Sequence, residues 1–205
     1  MVRNNLRLVF PKKSINEIYR IERNFYKHFA DITIESIKAF GMSESQMRSR
    51  YNYENIELIE SIQEKKKNII LILGHYSNFE WLLSIGYNVK GNGYGIFTPM
   101  TNKYFNRLFV KIRQKHKAYL VSRYKVKDFM SNLNPNKYYL FGFAADQSPR
   151  EVGKSYINYF LGHKVPIFTG AERFSKDYDL SVVFADITRT KRGHYKTKFI
   201  EIIDK

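Results

Sequence analysis

The feature that most constrains the fold is a run of five aliphatic residues, Ile69-Ile70-Leu71-Ile72-Leu73, stopped at once by Gly74. It is far too short for a membrane span, which needs about 20 apolar residues. An aliphatic run with no polar alternation is the pattern of a strand buried on both faces. Such a strand needs cover on two sides, and the chain supplies it. Similar short stretches recur at Gly95–Phe97, Tyr119–Val121, Tyr138–Phe143, Leu180–Phe184 and Lys196–Ile203. Segments with helical spacing fall between several of them, at Phe79–Tyr87, Lys103–Lys115 and Gly170–Lys176. This alternation predicts an α/β fold with a mixed, largely parallel sheet flanked by helices.

Ahead of the first strand, Ser14 and Glu17 form an S-x-x-E capping box just after Pro11. Ile15, Ile18, Phe25, Phe29, Ile32 and Phe40 then recur near helical spacing until Gly41 stops the run. A shorter helix is expected from Asn55 to Lys65, and Lys65-Lys66-Lys67 reads as a solvated loop. With no internal repeat, low-complexity tract or Pro/Gly/Ser linker, residues 1–205 read as one domain.

Composition narrows the function classes. Lys+Arg number 35 against 19 Asp+Glu, a net charge of +16, so the partners expected are negative: anionic lipid, an acidic protein or nucleic acid. A hydrophobic content of 43% excludes a disordered basic tail. The lack of cysteine excludes a disulfide scaffold, a thiolate zinc site and a cysteine nucleophile. Met-Val-Arg-Asn-Asn at the start does not read as a secretory signal.

The chemistry-bearing segment follows the first strand, as Gly74-His75-Tyr76-Ser77-Asn78-Phe79-Glu80-Trp81. On one continuous helix His75 and Glu80 would lie roughly 140° apart. They converge if His75 occupies the turn and Glu80 the first helical turn, with Ser77 as N-cap. Ser77-x-x-Glu80 is also a capping box, which accounts for Glu80 without catalysis. The location favours chemistry, because α/β folds expose side chains to substrate where strand ends meet helix starts. On the helix from Lys103, Tyr104, Phe105, Leu108, Phe109 and Ile112 form an apolar face, and Lys103, Arg107 and Lys111 a basic stripe. Arg113 falls outside that stripe, beside Phe109, and needs an anionic partner, either a structural carboxylate or a substrate phosphate. Asp146-Gln147-Ser148-Pro149 reads by itself as a turn. His28, His116, His163 and His194 have no metal-ligand spacing, and Gly91-x-Gly93-x-Gly95 precedes a strand and reads as a turn rather than a dinucleotide fingerprint. No metal and no cofactor are expected.

The GHYSNFEW stretch resembles the H-x4-D/E block of the late lipid A biosynthesis acyltransferases, the lauroyl/myristoyl transferases of the lysophospholipid acyltransferase group. Further blocks follow in family order: Phe97-Thr98-Pro99-Met100-Thr101-Asn102, Arg113, Asp146-Gln147, Phe160-Leu161-Gly162 and Phe168-Thr169-Gly170-Ala171-Glu172. The resemblance covers most of the chain, from Val9-Phe10-Pro11 onward. Thr98 stands where the family has an arginine before proline. The family's N-terminal membrane anchor and further C-terminal helical segment have no counterpart in these residues.

The resemblance implies a glycerolipid-acyltransferase-like fold and transfer of a fatty acyl group from an acyl carrier protein thioester, or acyl-CoA, to a hydroxyl of a lipid A precursor. It implies His75 as general base with Glu80 orienting it, backbone N–H groups near Ser77–Asn78 at the oxyanion, and Asn78, Arg113, Asp146 and Gln147 as substrate-binding residues. The partners it implies are the acidic acyl carrier protein, an anionic glycolipid acceptor and an anionic membrane surface at the cytoplasmic face of the bacterial inner membrane. Two alternatives stand beside it: the same chemistry on a lysophospholipid or aminolipid acceptor, and a non-enzymatic nucleic-acid-binding protein. Against the latter, the charge is spread along the chain and no nucleic-acid-binding signature is present, so no nucleic acid partner is expected.

Overall fold

In the computed structural model, which describes residues 1–149 and 155–202, a seven-stranded sheet runs in the order β1-β9-β8-β2-β5-β3-β4. The strands are β1 (Tyr51–Tyr53), β2 (Ile69–Leu73), β3 (Asn92–Phe97), β4 (Ala118–Ser122), β5 (Tyr139–Ala144), β8 (Ser181–Lys191) and β9 (His194–Ile202). All neighbours pair in parallel except β8 and β9, which form an antiparallel hairpin. The expected mixed, largely parallel sheet is therefore present. A separate antiparallel hairpin, β6 (Tyr156–Phe160) and β7 (His163–Ile167), stands apart from it.

The aliphatic run is β2, at the middle of the sheet, and its side chains serve two cores. Ile69, Leu71 and Leu73 pack into one cluster with Ala39, Met47, Ile59, Ile62, Trp81 and Ile112, from the helical side built by α2 (Ile15–Ala39), α3 (Glu44–Arg48), α4 (Glu57–Glu64), the 3-10 helix Phe79–Tyr87 and α5 (Lys103–Gln114). Ile70 and Ile72 face the opposite cluster with Val126 and Met130 of α6 (Val126–Ser131) and Ala171 and Phe174 of α7 (Gly170–Asp177). Burial on both faces explains why no polar residue interrupts the strand.

The long helix begins as the sequence predicts. Ser14 Oγ accepts from the Glu17 N–H, while the Ser14 N–H and hydroxyl both donate to Glu17 Oε2, and these last two bonds, with Lys13, hold the Glu17 carboxyl down at about 2. The short helix α1 (Val2–Val9), α3, α6, β1 and the β6–β7 hairpin have no counterpart among the elements expected from sequence. Each is short or weakly patterned, and tertiary packing decides such segments. Phe79–Tyr87 is a 3-10 helix, tighter than the α-helix its spacing suggests. Ile203, included in the last expected strand, lies outside the described residues.

One buried polar cluster ties α2 to the centre of the molecule. Glu35, 8% exposed, accepts from Asn78 Nδ2 at 2.7 Å and from the Tyr195 hydroxyl at 2.8 Å, and its backbone carbonyl accepts from Trp81 Nε1 at 3.2 Å. Asp31, one turn earlier, is paired with Arg189 and Arg192 of the β8–β9 hairpin. Glu35→Leu leaves both the Asn78 amide and the Tyr195 hydroxyl without their acceptor. Each orphaned buried donor costs roughly 1–3 kcal/mol, so with two of them the variant is expected to lose about 2–6 kcal/mol in urea unfolding. A loss under about 0.5 kcal/mol, the scale of a surface substitution, would show that the cluster contributes little.

Candidate active site

The parallel pairing of β2 with β5 sets Leu73 opposite Ala144, and the pairing continues through an Ala145 N–H to Leu73 carbonyl bond. Two residues beyond each strand end stand His75 and Asp146. The Asp146 carboxylate takes two bonds from His75: Oδ2 accepts from the backbone N–H at 2.8 Å and Oδ1 from ring Nδ1 at 2.6 Å. This assigns the proton to Nδ1 and leaves Nε2 as the nitrogen with a free lone pair. Phe79 packs edge-on against the imidazole, with ring centroids 4.9 Å apart.

Gly74 makes this approach possible. A Cβ at this position would lie 2.7 Å from a ring carbon of Tyr76 and 3.2 Å from Asp146 Oδ2. Tyr76 cannot move aside freely, since its hydroxyl accepts from the Ile187 N–H and donates to Asp186 on β8. Ser77 next adopts a left-handed conformation, φ 53°, which a residue with a Cβ rarely takes. That turn reverses the chain into the 3-10 helix.

The turn corrects three expectations from the sequence. The N-cap is Asn78, whose Oδ1 accepts from the Trp81 N–H at 3.1 Å, and not Ser77. Asn78 is 0% exposed and bonded to Glu35, so it braces the turn rather than facing a substrate. Among the described residues Glu80 makes no bond to His75. Its carboxylate is gripped in bidentate fashion by Arg113, Nε to Oε2 at 2.8 Å and Nη2 to Oε1 at 2.5 Å. The anionic partner that Arg113 requires is thus a carboxylate of the chain itself. In a 3-10 segment Glu80 projects towards α5, while the parallel register delivers Asp146 to the histidine.

His75, Glu80, Arg113 and Gln147 nevertheless share one cavity of about 690 Å³, together with Thr98 and an apolar wall that includes Leu71, Leu83, Ile96, Leu120 and Phe143. Gly93 and Gly95 of β3 and Gly142 of the neighbouring parallel strand β5 line it. At Gly95 an added Cβ would meet Leu120 and Leu83 at 3.1 and 3.3 Å, so side chains already close over that point. Among the described residues, a histidine whose Nε2 and an arginine whose Nη1 make no bond are thus set beside an apolar cavity wall. This combination suits a reaction on the polar end of a long hydrocarbon. Asp146 is the residue whose role sequence reasoning placed elsewhere, on the substrate. The legible signal was that both residues closely follow the ends of apolar strands, His75 two residues past Leu73 and Asp146 three past the expected end at Phe143.

The Glu80–Arg113 pair is mostly buried and bidentate, which makes it stronger than a surface pair. A double-mutant cycle with Glu80→Gln and Arg113→Gln is expected to give a coupling of roughly 1–3 kcal/mol in thermal unfolding. Additive losses would mean that the two act independently.

Comparison with curated proteins gives no match. A family pattern does match. It is described as bacterial lipid A biosynthesis acyltransferase, and it covers residues 1–202, essentially the whole described chain. The sheet, the helix arrangement and the histidine at a strand–helix junction are consistent with an acyltransferase-like fold, and the match includes every residue of the cavity described above. The chain belongs to the bacterial lipid A biosynthesis acyltransferase family.

Proposed function

We propose that the protein transfers a fatty acyl group from a thioester, carried by acyl carrier protein, to a hydroxyl of a lipid A precursor at the cytoplasmic face of the inner membrane. His75 is the general base, and Asp146, not Glu80, is the group that orients it. The observation that carries this reading is the Nδ1–Asp146 bond at 2.6 Å, which points the basic lone pair of Nε2 away from the carboxylate.

The acceptor hydroxyl gives its proton to Nε2 as its oxygen attacks the thioester carbonyl. Asp146 stabilises the imidazolium that forms, as the acid does in hydrolase triads. The negative charge on the carbonyl oxygen falls to N–H donors, for which the backbone at the Ser77–Asn78 turn and the Nη1 of Arg113, unbonded among the described residues, are the candidates. When the tetrahedral intermediate collapses, the C–S bond breaks and the thiolate takes the proton back from Nε2. The products are an ester and a free thiol. No covalent acyl-enzyme is required. Glu80 holds the Arg113 fork in place, and Gln147 stands beside Asp146 on the cavity wall as a substrate contact. The apolar channel houses the acyl chain.

Purified variants, assayed with acyl carrier protein thioester and a lipid A precursor, test the assignment. His75→Gln is expected to lower kcat by ~10²–10⁴-fold, the usual scale for loss of a general base. Asp146→Asn is expected to fall by at least about tenfold with an unchanged melting temperature, because the amide cannot stabilise an imidazolium. Asp146→Asn with normal turnover would return the orienting role to another group. Transfer to a lysophospholipid in preference to the lipid A precursor would change the acceptor and leave the catalytic assignment standing.

A further inference from the structure

The β6–β7 hairpin is an unusual object on the surface of a globular protein. All five residues of β6 are exposed, and Tyr156, Ile157, Tyr159, Phe160 and the turn residue Leu161 are each 43–66% exposed. Because side chains alternate along a strand, Tyr156 and Phe160 stand on one face and Ile157 and Tyr159 on the other. The hairpin therefore presents apolar groups on two sides, which a strand folded onto a core does not do. Leu161 (φ 50°) and Gly162 (φ 83°) make the tight reversal at its tip.

Three further observations say what covers it. The base of the hairpin is part of the wall of the catalytic cavity, through Ser155, Ile167 and Phe168. The hairpin leans on the α1–α2 corner, where His163 Nε2 lies 3.3 Å from the Leu8 carbonyl and where Leu8 and Phe10 are themselves exposed. Cations flank these aromatics: Lys164 over the Tyr159 ring and Lys13 over the Phe10 ring. Tyrosines and aliphatic groups ringed by lysine match the chemistry of the boundary between acyl chains and anionic headgroups. Among the described residues no helix is long and apolar enough to cross a membrane.

We propose that the β6–β7 hairpin, with the α1–α2 corner, is a membrane-docking surface that seats its aromatic tip in an anionic bilayer and so opens the catalytic cavity directly onto the lipid phase. This rests on the acyltransferase reading, which requires a substrate dissolved in the bilayer. The apolar groups enter the acyl-chain boundary and the lysines meet the phosphates. A lipid then reaches His75 along the hairpin's base without crossing water.

Trp81 is the single tryptophan and is buried, so the indole placed by Tyr159→Trp, read as the emission of the variant minus that of the wild type, reports on the hairpin. With vesicles of phosphatidylethanolamine and phosphatidylglycerol carrying brominated chains, its emission is expected to shift to the blue and to be quenched. The double variant Tyr159→Ser/Phe160→Ser is expected to bind the same vesicles at least about tenfold more weakly, since two aromatic groups no longer leave water. Its transfer rate on substrate dispersed in detergent micelles should stay within about twofold of wild type, because the site itself is untouched. An unquenched indole in vesicle-bound protein overturns the proposal, as does wild-type vesicle affinity in the double variant. Loss of micellar activity in the double variant also overturns it, by showing that the hairpin supports the site. So does a vesicle-independent dimer that the double variant abolishes, since a second copy would then be the occupant. If wild-type protein transfers no acyl group even in micelles, the acyltransferase reading fails, and the quenching still judges the docking surface separately.

Discussion

The site depends on one constraint, the parallel register of β2 and β5. Leu73 is opposite Ala144, and this brings residues two positions past each strand end within bonding distance across the sheet edge. In an antiparallel pairing the same two residues would sit at opposite ends. The register is held because β2 is buried on both faces, so a slip of one residue would exchange the contents of the two cores. The aliphatic run that looks like simple core material is thus what fixes the distance between the histidine and its carboxylate.

Around that edge the chain places two further ties with different purposes. Glu35 reaches from α2 to Asn78 and so immobilises the turn that carries His75. Arg113 reaches from α5 to Glu80 and fixes the first turn of the 3-10 helix. A buried carboxyl and a mostly buried ion pair therefore hold the second half of this segment, at Asn78 and Glu80, while Gly74 leaves the space in which Asp146 can close on its start. Removing the methyl group from one position matters here as much as adding any charge. The positive φ at Ser77 falls immediately before the Asn78 that Glu35 holds, as expected of backbone strain, which persists only where the surroundings over-determine it.

Much of the fold was legible because its long elements carry strong periodic signals. Ser14 with Glu17 starts the long helix where the capping box says, and β2, α5, α7 and the apolar strands at the sheet centre lie within a few residues of expectation. The hairpin was not legible. Its apolar residues serve no core, so the alternation that marks a half-buried strand carries no information about what it faces. The 3-10 form of Phe79–Tyr87 was hidden for another reason, since i, i+3 and i, i+4 spacing overlap in a nine-residue segment.

The sequence by itself, through local pattern and motif order along the chain, determined the long elements, the segment that bears the chemistry and the family, but not the short elements or the hairpin. It also narrowed the choices for Arg113, since an arginine beside an apolar face must find an anion. Tertiary structure alone decided which anion, and which carboxylate serves His75. Glu80 is five residues from the histidine and Asp146 is 71 residues away, yet the nearer one faces α5 and the distant one closes the bond. Separation along the chain gives no measure of distance once strands pair in parallel. The partners of a side chain at a strand end belong to the register of the sheet.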